Sequence, residues 1–324
     1  MSKIIGRLRS VGLAKESTKG TAVAPAYWLP YTGFNPNPVI QTKQKDGATG
    51  RIEAGYESNI ISKYAQPSVD GILTDKAFGL LLLAGLGSVA SVAKSAPNAV
   101  VCDHTFTVKN DNDHPALTMS YKDAIYGKQI AYSMLNKLEI EAKLGDFVRY
   151  KAEFLSKLEA DGALTPAVTA ENAFVPKHIT VKIADTVAGL AGASAVALQS
   201  VKLSVNKNGE VVFGLGSDEP ASIVNKELEI SGDIECLLND NSWKTLFTGG
   251  TSKAMSIAIT SDTVIGTSGN PAVVFTFNKV VFNTYKENGS LKDLIKESVG
   301  FDTLYSVTDS KMVEAVLTNL ATSY

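Results

Sequence analysis

Residues 136–155 read NKLEIEAKLGDFVRYKAEFL, and this stretch indicates the fold class most directly. Apolar Leu138, Ile140 and Ala142 alternate with charged side chains, as a β-strand with one buried face requires. The Gly-Asp dipeptide at 145–146 is a turn signal, and the same alternation resumes after it. The stretch therefore predicts two antiparallel strands joined by a tight turn.

Similar alternation continues along most of the chain between clusters of Gly, Pro, Asn and Asp. Further strand candidates are Val201–Asn206, Leu228–Gly232, Val273–Phe277, Val280–Tyr285, Ser298–Tyr305 and Lys311–Asn319. The Asn208-Gly209 dipeptide predicts a tight hairpin from Val201–Asn206 into Val211–Phe213, because both turn residues accept a positive φ. The pattern indicates a mainly β protein built from antiparallel strands.

Only two segments carry clear helix signals. Asp75 is a candidate N-cap for a helix that ends at Gly87. A second helix is predicted to begin at Asn239 or Asp240 and to end at Gly249.

The two helix candidates have similar surroundings, which indicates an internal duplication. Each follows a strand with a central glycine, Gly71 in one and Gly232 in the other. The offset of roughly 140–170 residues is typical of duplicated domains. We therefore predict two tandem antiparallel β-barrel or sandwich domains, each with a flanking helix: residues 1–160, with an N-terminal arm, and residues 161–324. Because identity between the halves is low, a chance alignment within an all-β chain is the alternative.

The duplication also predicts specific strand pairs and loops. The strand pairs are Thr105–Val108 with Leu117–Tyr121 in one copy and Met255–Thr260 with Val273–Phe277 in the other. A long polar loop is predicted before each helix, at Thr42–Tyr64 and at Asn208–Asn225.

Composition argues against several classes of protein. Hydrophobic residues make up 44% and charged residues 20% of the 324, so the chain can bury a core. A formal net charge of −2 gives no basic surface for gripping nucleic acid. The uncharged run 77–93 is cut by glycines, which fits a buried helix and a following loop better than a membrane span. Cys102 and Cys236 are expected to be free buried thiols in a reducing compartment, and residues 1–12 lack the apolar core of a secretory signal.

No constellation of catalytic or ligand-binding residues stands out. His104, His114 and His178 are the only histidines, and no serine lies in a nucleophile-elbow pattern. The Asn110–Asp113 run lacks the glycine and distal glutamate of a calcium loop, so a polar turn is the simpler interpretation. We therefore predict a non-enzymatic protein without cofactor or metal. A β-rich enzyme is the alternative, because a Ser/His/Asp triad is defined by geometry.

An ordered set of segments carries a family resemblance. The set is Val11–Pro25 (VGLAKESTKGTAVAP), Trp28–Tyr31, Phe78–Gly87, Asp103–Phe106, Leu203–Asn206, Gly214–Ser217, Pro220-Ala221, Thr303–Tyr305 and Leu317–Asn319. Together these segments span most of the chain and resemble the tail tube proteins of long-tailed (siphovirus) bacteriophages and prophages.

The resemblance implies a subunit that assembles with copies of itself into stacked rings, forming a hollow conduit for DNA during ejection. The family's usual ring holds six tube domains, so two domains per chain predict a trimer with pseudo-sixfold symmetry. Tape measure, tail terminator and tail tip proteins are the further partners implied. DNA is expected to pass without sequence-specific binding, and no membrane partner is expected. The location implied is the virion tail, after synthesis and assembly in the host bacterial cytoplasm.

Two sets of residues are predicted to act in this assembly. The polar loops would reach a neighbouring subunit or ring through Lys43, Lys45, Arg51, Tyr56, Tyr64, Asp218, Glu219 and Asn225. Carboxylates on one strand face would line the channel and repel DNA phosphate, namely Glu139, Glu141, Glu229 and Glu235. A solvated outer face is the alternative for these carboxylates, because strand parity does not say which polar face turns inward.

Two other virion proteins fit the same pattern. One is the inner tube of a contractile tail or of a phage-tail-like particle, which differs by the presence of a sheath protein. The other is a β-sandwich decoration or adhesion module, which would not polymerise into hollow tubes.

Overall fold

A computed structural model describes residues 5–324, and strands dominate it. The first half contains β1 (Ser10–Lys15), β2 (Tyr27–Leu29), β3 (Tyr31–Asn35), β4 (Pro38–Lys45), β5 (Glu57–Ala65), β6 (Ser68–Ile72), α1 (Phe78–Leu86), β7 (Gly87–Ala93), β8 (Cys102–Val108), β9 (Leu117–Lys122), β10 (Gly127–Lys143), β11 (Arg149–Leu155) and β12 (Glu159–Asp161). The second half contains β13 (Ile179–Ala184), β14 (Ala195–Val196), β15 (Ser200–Asn206), β16 (Glu210–Phe213), β17 (Pro220–Val224), β18 (Glu229–Leu237), α2 (Ser242–Gly249), β19 (Lys253–Thr260), β20 (Ala272–Asn288), β21 (Lys296–Thr303) and β22 (Val313–Asn319). The prediction of a mainly β, antiparallel fold is confirmed.

Eight strands form one continuous sheet in the order β3-β6-β11-β10-β15-β18-β21-β20, which we call the central sheet. Residues 136–155 contain the second part of β10 and all of β11, which pair with Glu139 opposite Lys151. Side chains such as Leu138, Ile140 and Leu203 are buried on one side of the sheet. Their charged neighbours lie on the other side, which we call the polar face.

The two longest strands, β10 and β20, pass from the central sheet into an outer layer. The first part of β10 pairs with β9 and β12, and β9 continues through β1 to β2. The first part of β20 pairs with β19 and β22, and β22 continues through β8 to β7. Phe277 of the outer layer packs on Phe301 of the central sheet, with ring centroids 6.3 Å apart. Register irregularities in the pairing of both long strands mark these transitions.

Strands of the two halves pair directly with each other. β10 pairs with β15 from Lys137 opposite Asn206 to Lys143 opposite Ser200, and β8 pairs with β22. Buried side chains from both halves belong to one apolar cluster. The division between residues 160 and 161 falls within β12 and stays a prediction.

The order of strand pairing in the first half recurs in the second. In the first half β1 pairs with β9, β9 with β10, β10 with β11, β11 with β6 and β6 with β3. In the second half β13 pairs with β19, β19 with β20, β20 with β21, β21 with β18 and β18 with β15. A helix follows β6 and β18 alike, and a hairpin separates β3 from β6 as another separates β15 from β18.

Two of the predicted strand pairs are wrong, and the reason is the same in both. β15 does not pair with β16, because β10 and β18 occupy its two edges. β8 does not pair with β9, because β7 and β22 flank β8 while β1 and β10 flank β9. In both cases, other strands occupy the edges at which the next strand in the sequence was predicted to pair. The predicted pairings of β10 with β11 and of β19 with β20 are confirmed.

The first helix is an entirely buried element. Every residue of α1 is buried, and the helix ends as predicted at Gly87, whose φ is 97°. Asp75 is not its N-cap, because its carboxylate accepts hydrogen bonds from the backbone and side chain of Asn172, both at 2.8 Å. The strand β7 follows α1 directly, which corrects the loop expected there.

The second helix lies at the surface and buries only Trp243. It starts at Ser242, two residues after Asp240, whose Oδ1 accepts the Ser242 backbone N–H at 2.7 Å. Neither helix of residues 5–324 is long and apolar enough to cross a membrane.

Candidate functional site

Two hairpins form small sheets of their own outside the central sheet. β4 and β5 pair after β3, and we call residues 38–65 the first arm. β16 and β17 pair after β15, and we call residues 210–224 the second arm. The segments Thr42–Tyr64 and Asn208–Asn225, predicted as loops, therefore contain strands. Within the part of the chain that the structure describes, each arm is a two-stranded sheet whose strands pair with each other.

The first arm is exposed on both of its strands. Lys43, Lys45 and Arg51 are exposed, and the Lys45 Nζ lies 5.2 Å from the ring centroid of Tyr56. Apolar side chains are also uncovered; Ile40 and Ile60 are each 52% exposed. An apolar surface of this kind is typical of a contact region that another chain covers.

The turn of the second arm, between β16 and β17, contacts the base of the first arm within one chain. The Lys63 backbone N–H donates to the Asp218 carbonyl at 2.7 Å, and the Lys63 Nζ lies 3.1 Å from the Asp218 carboxylate. Glu219 lies 3.9 Å from the same ammonium group. Tyr64 packs on Phe213 with ring centroids 6.0 Å apart. Tyr64, Asp218 and Glu219 thus form contacts between the arms, and a role between subunits stays a prediction for them.

The four carboxylates predicted to line a channel lie together on the polar face. Strand alternation places Glu139 and Glu141 of β10 there, and Glu229 and Glu235 of β18. Lysines interleave with them. The Glu139 carboxylate lies 2.8 Å from the Lys137 ammonium group and 3.4 Å from that of Lys202. Glu235 lies 2.7 Å from Lys296. The polar face therefore carries both signs of charge, whereas the alternation of carboxylates alone predicts a row of negative charge.

The central sheet ends in two strand edges that have no partner strand among residues 5–324. β3 pairs only with β6, so residues 31–35 leave one edge open. At the other end, residues 281–288 of β20 pair only with β21. Unpaired backbone groups on such edges are templates for pairing with another strand.

The family of the chain is shown by comparing its sequence with known protein families. Residues 6–303 match a family described as phage tail tube protein. The chain belongs to the phage tail tube protein family. No curated protein matches it. A structural role in the tail tube follows from membership, as does a location in the virion tail, and the match spans both halves of this tail tube protein.

Asn225 of the tail tube protein lies apart from the other predicted contact residues. It is buried and lines a cavity of about 340 Å³ together with His114 and Lys207. The buried Lys207 Nζ donates to the Ala84 carbonyl at 2.6 Å, and burial lowers the pKa of this lysine to about 7. Burial likewise lowers the pKa of His114 to about 4. Sequence reasoning missed Lys207, because it directly follows the end of β15, where the alternation of polar and apolar residues stops.

The remaining reactive side chains of the tail tube protein have structural contacts. His104 is buried, with Nδ1 2.7 Å from Ser91 Oγ and Nε2 3.0 Å from Asn319 Oδ1. Cys102 and Cys236 are both free and buried. Within residues 5–324, no group of three or more His, Cys, Asp or Glu side chains is suited to hold a metal ion.

Proposed function

We propose that the chain polymerises as trimeric rings that stack into a hollow tube, through which phage DNA passes during ejection. The observation that carries this proposal is the pair of open edges on the central sheet. The junction between β10 and β15 within one chain supplies a template for joining those edges between chains.

The recurring pairing order relates β20 to β10 and β3 to β15. β10 of the first half joins β15 of the second half inside the chain. The open edge of β20 is therefore equivalent to the edge of β10 that binds β15. The open edge of β3 is in turn equivalent to the edge of β15 that binds β10. A neighbouring subunit's β3 would then extend the central sheet beside β20, in a head-to-tail contact.

Head-to-tail contacts of this kind form a closed ring when the rotation between copies allows it. Closure leaves the sheet without edges, which removes the templates for uncontrolled aggregation. With two equivalent halves per chain, three subunits supply the six tube domains that the family resemblance implies.

The polar face is the side of the sheet suited to border a water-filled channel, since the other side is buried in the core. Paired carboxylates and lysines give a DNA backbone no extended positive surface to bind. The arms are suited to contact neighbouring rings, and the tape measure, tail terminator and tail tip proteins are the partners expected at the tube's interior and ends. In this role the protein has no catalytic function.

Negative-stain electron microscopy of the purified protein tests the proposal. We expect hollow tubes or rings with threefold or pseudo-sixfold symmetry. A protein that stays monomeric under all conditions, including with tail initiator proteins, would contradict it.

A further inference from the structure

A groove beside α2 is open, whereas the corresponding place beside α1 is filled. The groove has a volume of about 340 Å³, and its lining includes Ile183, Val196, Trp243, Asp240 and Glu297. α2 buries only Trp243, while all of α1 is buried. The two halves therefore differ in what covers the helix.

Residues 171–174 of the segment between the halves fill the place beside α1. Phe174 is fully buried; its backbone N–H donates to the Leu73 carbonyl at 3.2 Å, and its carbonyl accepts from Val148 at 3.0 Å. The Glu171 carboxylate accepts the backbone N–H groups of Lys76 and Ala77, at 3.3 and 3.0 Å. These residues therefore act as an extra strand and as a cap for the start of α1.

The same local structure precedes the first strand of each half. A 3₁₀ turn at Pro176–His178 leads into β13, and a 3₁₀ turn at Gly6–Leu8 leads towards β1. After each turn, the next backbone N–H donates to the carbonyl of the first turn residue, from Ile179 in one case and Arg9 in the other. Ile5 thus stands to β1 as Val175 stands to β13.

We propose that the N-terminal segment of a neighbouring subunit, residues 1–8, occupies the groove beside α2. The inference rests on the proposed ring. In that ring, β1 of a neighbouring subunit lies beside the second half of the chain. This is the position that β13 holds beside the first half of its own chain. The β18 strand has nine residues, whereas its counterpart β6 has five. The groove beside α2 therefore lies about 13 Å further along the sheet than the filled place beside α1 does in the first half. Five extended residues span about 17 Å, which is enough to reach it.

Charge and hydrophobicity match between the segment and the groove. Glu297 is 1% exposed, and its Oε2 has no hydrogen-bond partner among the described residues. Asp240 adds a second carboxylate, and no basic side chain lines the groove. Residues 1–8 read MSKIIGRL, with two basic residues and no acidic one. Ile5 and Leu8 are 60% and 64% exposed, so they gain from burial. A buried carboxylate without a partner is costly, and a cation from the segment would relieve that cost.

A cysteine pair across the proposed contact tests the inference. The double variant Ile5→Cys/Ala197→Cys and its control are made in a Cys236→Ala background, because the free Cys236 also lines the groove; Ala197 is an exposed groove residue, so its substitution is mild. We expect oxidation of assembled rings to give covalent dimers and trimers on a non-reducing gel. The control Ile5→Cys/Ala163→Cys places its second thiol on an exposed residue that does not line the groove, and should give none.

Protection of the thiol introduced at position 197 gives an independent readout. In Ala197→Cys, maleimide labelling should slow at least tenfold when subunits form rings. Deletion of residues 2–5 should restore the fast rate within rings. Rings that form normally but show neither cross-link nor protection would overturn this inference and leave the proposed function intact. Failure to form any ring would instead overturn the ring on which both depend.

Discussion

Two glycines in the central sheet each face an aromatic ring across the strand pair. Gly71 lies opposite Tyr150 and Gly232 lies opposite Phe301. A Cβ atom on Gly71 would lie 3.1 Å from the Tyr150 hydroxyl oxygen, and one on Gly232 would lie 2.5 Å from Phe301 Cζ. The aromatic ring covers the space that a side chain would otherwise occupy, a known way to stabilise glycine in a strand.

Replacing Gly232 tests this packing. We expect Gly232→Ala to lower the free energy of unfolding by about 1–3 kcal/mol, because the new methyl group overlaps the Phe301 ring and the sheet backbone. Urea denaturation followed by circular dichroism measures the change. The matched control is Gly214→Ala, whose new Cβ would have its nearest neighbour at 3.8 Å and should change stability by less than about 0.5 kcal/mol. Equal midpoints for the two variants would contradict the prediction.

Sequence reasoning located both glycines but not their partners. The alternation in 137–143 separates buried from polar residues, because each strand residue alternates faces whatever its neighbours are. The contact between Gly232 and Phe301 depends on which strands pair, and they are 69 residues apart in the numbering. The sequence showed the carboxylates of the polar face and Lys137 beside Glu139, while Lys202 and Lys296, which also pair with these carboxylates, come from other strands.

At the scale of elements, the arms differ in length and exposure. The first arm has strands of eight and nine residues, and the second has strands of four and five. The base of the first arm touches the turn of the second arm through Lys63 and Asp218, while the outer part of the first arm has no cover from its own subunit. Its outer part is therefore separable from the folded body.

Shortening the first arm separates folding from tube growth. Replacing residues 43–59 with Asn-Gly joins Thr42 to Ile60, which lie opposite each other, through a two-residue turn that hairpins favour. We expect a thermal midpoint within about 2 °C of the wild type, because the removed residues bury little surface. Electron microscopy should show rings but no long tubes. Tubes of normal length would show that the outer arm has no role in stacking.

The mispredicted strand pairs show what local sequence leaves open. The Asn208-Gly209 turn exists, and Asn208 has a φ of 47°, but the strand after it leaves the sheet. Turn residues set a change of direction, whereas the choice of partner depends on strands that arrive from elsewhere in the chain. The C-terminal ends of the helices were predictable, because Gly87 and Gly250 end them by local conformation.

At the scale of the whole molecule, both halves contribute to one sheet and one core, so neither half is complete by itself. β8 of the first half extends the outer layer of the second half through β22. The open edges of β3 and β20 are then the places where the same pairing can continue into another chain.

Proline on the β3 edge tests the proposed ring contact. Thr32 is exposed and sits at a register irregularity, where proline is tolerated within a sheet. We expect Thr32→Pro to fold but to weaken ring formation at least tenfold, because it removes an edge N–H and adds bulk. Thr32→Ala, which loses the same side chain but keeps the N–H, should assemble normally. Native mass spectrometry across a concentration series measures both, and equal trimer fractions would contradict the contact.

The junction of β10 with β15 also affects how strongly ring formation depends on protein concentration. In the proposed ring, three of the six junctions between tube domains lie within chains and form at any protein concentration. A ring of single-domain subunits would need all six to form by collision. A covalent link gives such a junction an effective concentration on the order of millimolar, well above that of a newly made protein. Fusion of the halves would thus let rings close early in infection, while subunits are still scarce.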